Sequence, residues 1–121
     1  MARAQVNEGF LVALEAGADL TDAVGKIVKV DANGAAVLCG ADEKALGVVY
    51  ENSLASSAPY GPVTVQFAGI ARVRASGAIT AGATVAVAAG GLAKTGTTNP
   101  IGIALTGATQ AGEVISVALT F

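Results

Sequence analysis

At 121 residues the chain has room for one ordinary domain, and a net charge of −2 with no run of Lys and Arg argues against nucleic acid, where phosphate contacts need clustered cations. It is 53% hydrophobic but only 4% aromatic and 13% charged, so its apolar mass is mostly Ala and Val, which bury little area per residue and favour sharing faces with other copies. Histidine is absent, which excludes Ser-His-Asp and Cys-His catalysis and any His-containing metal site, and the single Cys39 excludes an internal disulfide.

Residues 1–9 are polar and unpatterned. They read as a flexible arm ahead of one domain over 10–121, without a signal-peptide pattern. No apolar run is long enough to span a bilayer as a helix. Phe10, Val12 and Leu14 alternate with smaller residues as a first strand ending at Glu15-Ala16-Gly17. A connection follows over 18–22, where a short helical turn capped by Thr21 or Asp22 is an option. The β-branched run from Gly25 to Val30 reads as a strand. Asp31-Ala32-Asn33-Gly34 is the clearest hairpin signal, because Asn-Gly tolerates the positive φ of a tight turn. Ala35 to Cys39 returns, Gly40 to Lys44 loops, and Leu46 to Tyr50 forms the next strand.

Asn52 to Pro62 is rich in Ser, Pro and Gly and reads as an inserted surface loop, the kind that carries recognition. Val63 to Val73 alternates throughout, with Gly69 marking a bulge or bend in a curving wall. Thr84 to Ala88, Ile101 to Leu105 and Val114 to Phe121 are the remaining strands, with a tight turn at Gly90-Gly91.

These elements use one plan twice. Gly25 to Val30 leads through Asn33-Gly34 to Leu46-Gly47-Val48-Val49, and Gly82 to Val87 leads through Gly90-Gly91 to Ile101-Gly102-Ile103-Ala104. Val63 to Phe67 closes the first copy and Ile115 to Leu119 the second. Short strands punctuated by glycine predict an all-β fold, a small barrel or sandwich built from two degenerate repeats.

No group of residues announces a reaction. Cys39 lies in the apolar run Ala36-Val37-Leu38-Cys39, which points to a small buried hydrophobe rather than a nucleophile. Asp31, Asn33, Asp42 and Glu43 match no calcium loop, and the glycines match no phosphate-binding fingerprint. Glu15, Asp19, Asp22 and Glu51 could supply a carboxylate pair, as any acidic chain could. Lys26, Lys29 and Lys94 read as charges that protect strand edges. The expectation is a protein without catalytic residues, metal or cofactor. Arg72 and Arg74 share one face of a strand and are candidates for an oligomer or partner face. Arg3, Gln5, Asn7 and Glu8 on the arm, with Tyr60 between Pro59 and Pro62, are the candidate partner contacts.

The Leu46-Gly47-Val48-Val49 run resembles the phage capsid cement, or head decoration, family. So do the strand Val65-Gln66-Phe67-Ala68-Gly69-Ile70-Ala71-Arg72-Val73, the Ile79 to Val85 stretch and the closing Ile101 to Leu119 region. The likeness runs from about Phe10 to Phe121. It implies a small β-barrel of the β-tulip kind, made in the host cytoplasm and seated on the outer surface of the virion. There it would bind the major capsid protein as a homotrimer, dimer being the alternative, with neither nucleic acid nor membrane as partner. The other reading, from a different class, is a carbohydrate- or cell-surface-binding module displayed on a virion or fibre.

Overall fold

The computed structural model describes residues 10–121. Ten strands and no helix occupy them: β1 (Leu11–Glu15), β2 (Ile27–Val30), β3 (Ala36–Leu38), β4 (Gly47–Glu51), β5 (Pro62–Gln66), β6 (Ile70–Arg74), β7 (Thr84–Ala88), β8 (Leu92–Thr95), β9 (Gly102–Ala104) and β10 (Val114–Leu119). The protein is all-β. The first five strands form one antiparallel sheet in the order β1-β5-β4-β2-β3, and the last five form a second, β6-β10-β9-β7-β8. Raising each number of the first order by five gives the second.

The registers match as well as the order. Ile27 faces Val48 and Val28 faces Gly47, while Thr84 faces Ile103 and Val85 faces Gly102. In each sheet one parallel bridge joins the edge strands at one end, Ala16 to Ala36 and Ala75 to Ala93. Neither bridge extends into a ladder, so the expected barrel is realised as two curled sheets without a continuous closed wall.

Gly47 and Gly102 sit at the same place in their sheets and for the same reason. A Cβ on Gly47 would fall on the Gln66 carbonyl oxygen, and one on Gly102 on that of Ala118. Only hydrogen fits where β4 crosses β5 and β9 crosses β10.

Alternation sends every second residue inward. Val28, Val49, Val63 and Val65 join Leu20, Ala16 and Ala36 in the first sheet's own core. Val73, Val85, Val87, Ile101, Ile115 and Val117 fill the second, and that cluster also takes in Ile27, Cys39 and Val48 from the first sheet. The first sheet is therefore apolar on both faces near β2 and β4, where the second sheet covers its outer side. Between the sheets Ile27 N donates to Gly91 O (2.7 Å), Arg74 N to Gly25 O (2.8 Å) and Asp42 N to Val87 O (2.9 Å). Lys94 pairs with Asp42 at 3.1 Å and Arg74 with Asp22 at 3.1 Å across the same joint.

Two sequence expectations change, and β8 (Leu92–Thr95) is a strand the sequence reading did not assign. The alternation from Val63 to Val73 is two strands in two sheets, because Gly69 takes φ +82° and turns the chain out of the first sheet into the second. Parity survives the crossing, so Val65 and Ala71 are both buried and the run looks continuous in sequence. The optional helical turn near Thr21 is instead a turn tied by Asp19, whose Oδ1 accepts from Thr21 N (3.0 Å) and Oγ1 (2.6 Å). Asp19 is held below the usual carboxylate pKa, first by the Thr21 hydroxyl and then by the Thr21 backbone N–H.

Candidate functional site

Where β5 and β1 extend past the joint, the outer face of the first sheet is uncovered. A groove of about 730 Å³ opens there, floored by Ala13 and Thr64 and walled by Val24, Tyr50, Leu54 and Tyr60. Each wall has an identifiable cause. Tyr50 is the extra residue of a β-bulge, since the β4–β5 register slips between Val49 and Glu51. A bulge re-aims its side chain, and Tyr50 stands 57% exposed directly after the three buried residues that open β4. Val24 is held at the rim by Asn52, whose Oδ1 accepts from Ala23 N and Val24 N, both at 2.8 Å. Gly61 N donates to Glu15 Oε1 at 3.1 Å and fixes the far end of the loop against β1. Leu54 at its crest is 97% exposed. Next to it Ser53 is buried, and its Oγ has no partner among the described residues.

Two smaller depressions continue the groove, one past Tyr50, Ile70 and Arg72 and one past Arg72, Arg74 and Val114; Val24 lines all three. The fold thus lays Tyr60, Arg72 and Arg74 along one strip. They are not equivalent within it. Arg74 is committed inside the chain, with Nε donating to Val24 O (2.8 Å) and Nη2 paired to Asp22. Arg72 is exposed and has no ion-pair partner among the described residues. Tyr60 is half-buried, with its ring against the first sheet's core and one side open to the groove. Arg3, Gln5, Asn7 and Glu8 lie outside the described residues.

The strip reverses the usual economy of a surface. Val24, Tyr50, Leu54, Ile70 and Val114 are all more than 40% exposed, and a contiguous exposed apolar patch marks a contact face. Sequence reasoning found Tyr60 and the arginines and missed Val24, Tyr50 and Leu54. The inserted loop is also smaller than its composition suggests. The connection over 50–62 is only three residues longer than its counterpart over 105–114.

Burial and neighbouring groups shift several of the ionisable side chains. Burial pushes the Cys39 thiol up, and the side chain is enclosed, which suits a packing residue. Glu43 is held below the usual carboxylate range by the Lys29 ammonium at 2.8 Å. Glu113 is held low chiefly by Thr109 N, which donates at 2.6 Å. Among the described residues no three His, Cys, Asp or Glu side chains are placed to hold a metal ion. What this strip offers chemically is a contact surface: exposed aliphatic and tyrosine side chains with one free guanidinium. Compared with protein-family models and with curated proteins, the chain matches none.

Proposed function

We propose that this protein is a capsid decoration protein. In this reading it seats on the outer surface of a viral shell and bridges major capsid subunits, itself assembled as a homotrimer and without catalysis. The observation that carries the reading is the open apolar strip, with Leu54 at its crest almost fully in water. An open face with a raised aliphatic tip suits a protein surface better than a small ligand, which is usually enclosed. The sequence resemblance supplies the identity of that partner. Weak individual contacts suffice, because a multimer bridging several subunits gains effective concentration at each further contact.

The test is occupancy on purified heads assembled without decoration. Leu54→Asp leaves the core untouched and places a charge on the crest. It is expected to lower occupancy at least tenfold at protein concentrations that saturate with wild type. Unchanged occupancy would refute the strip as the shell contact. Saturable binding to one sugar on a glycan array, with no binding to heads, would favour the carbohydrate-binding module instead.

A further inference from the structure

The joint between the two sheets inside one chain has a second half that nothing among the described residues occupies. Matched strand order and register assign each residue of the first sheet a counterpart in the second. On the first sheet, Ile27 and Val48 are 0% and 2% exposed because the second sheet covers them. Their counterparts on the outer face of the second sheet are Thr84, half-buried, and Ile103, 44% exposed. The complementary surface shows the same contrast in reverse. Val87, at the end of the second sheet that meets the first, is fully buried; its counterpart Val30, at the matching end of the first sheet, is 44% exposed.

The backbone polar groups follow the apolar ones. Ile27 N donates across the joint to Gly91 O. The corresponding groups, Thr84 N and Gly34 O, have no backbone partner among the described residues. Likewise Arg74 N donates to Gly25 O, while Glu15 N and Gly82 O are left without one. Ala16 N bonds to Gly61 O, so the next amide back along β1, that of Glu15, points away from β5. One face of the second sheet and one end of the first are therefore a donor-acceptor and apolar match for each other. They lie on different halves of the same chain and are each exposed.

We infer that these two surfaces join different copies of this chain: the Thr84 and Ile103 face of one copy receives the Gly34 and Val30 end of the next. The contact repeats between chains the joint that the structure already makes within one. It is head-to-tail, so it closes into a ring or continues as an open series. A closed trimer would alternate internal and external joints around six sheets. The inference rests on the self-association part of the proposed function and not on shell binding.

The test needs no shells. Sedimentation velocity at tens of micromolar is expected to show wild type as an oligomer and both Ile103→Glu and Val30→Glu as monomers. Both sites are near half exposed, so melting temperatures should stay within a few degrees of wild type; Thr84→Lys replaces Ile103→Glu if that variant does not fold. The decisive sample is an equimolar mixture of the two variants. The Val30→Glu copy keeps an intact Ile103 face and the Ile103→Glu copy an intact Val30 end, so one joint is restored and a dimer, no larger, should form. Wild type sedimenting as a monomer, variants keeping the wild-type mass, or a mixture that stays monomeric would each overturn the inference. Loss of shell binding with the oligomer intact would count against the proposed function and leave this joint standing.

Discussion

Replacing Gly47 by Ala tests the tightest packing in the first sheet. The added methyl would lie 2.9 Å from Val65 Cγ1 and on top of the Gln66 carbonyl oxygen, which is backbone and cannot rotate away. β4 and β5 would have to separate by about an ångström at this crossing to restore van der Waals contact. Overpacking of this kind costs roughly 1–3 kcal/mol. Stretching two neighbouring ladder bonds adds roughly 0.5–1.5 kcal/mol for each. The expected destabilisation is thus about 4 kcal/mol, a large part of the roughly 5–15 kcal/mol that holds a small domain together. In a chain of this size it corresponds to a fall of roughly 15 °C in melting temperature. Urea unfolding followed by circular dichroism reads the free energy directly. Gly77→Ala is the control, because nothing lies within 4 Å of a Cβ there and its φ is not positive; it should be neutral or slightly stabilising. If Gly47→Ala unfolds within 1 kcal/mol of wild type, close approach is not what requires glycine at this crossing.

Asn52→Ala removes the acceptor of both Ala23 N and Val24 N, and is expected to cost about 1–3 kcal/mol in urea unfolding and to weaken head binding by loosening the Val24 rim. Glu113 should contribute to the pH response alongside Asp19 and Glu43. Its carboxylate is held low in the folded protein, so it contributes stability above the unfolded carboxylate pKa and loses it as acid protonates the folded form. Melting curves between pH 7 and pH 3 are expected to fall more steeply below about pH 4.5 for wild type than for Glu113→Gln; parallel curves would contradict this.

Most strands were legible because they are local, though β8 (Leu92–Thr95) was not assigned. The Asn33-Gly34 turn, the β-branched run from Ile27 to Val30 and the alternation of β5 and β6 each follow from a few neighbouring residues. What escaped the sequence was decided by partners far along the chain. Ile27 and Val28 look alike in sequence and are both buried, yet one packs under its own sheet and the other against the opposite sheet. Gly69 looked like a bend within one strand because a three-residue crossing between sheets keeps the period of two. The strip around Val24 is set by Asn52, twenty-eight residues away, and by a register slip at Tyr50 that no local pattern announces. Tyr60, Arg72 and Arg74 were found one at a time, and only the fold sets them side by side.

Every ladder of the first sheet closes without a residue beyond Gln66, and every ladder of the second lies beyond Gly69. On the ribosome, the amino-terminal half can therefore complete its hydrogen-bonded network while the rest is still being made. It would do so with Ile27 and Val48 bare to water, since their cover is synthesised after them. The interval between those two events is when the nascent chain most needs shielding, and chain growth of roughly 5–20 residues per second makes it a matter of seconds. Slower elongation through residues 70–121 is expected to lengthen that exposure and lower soluble yield.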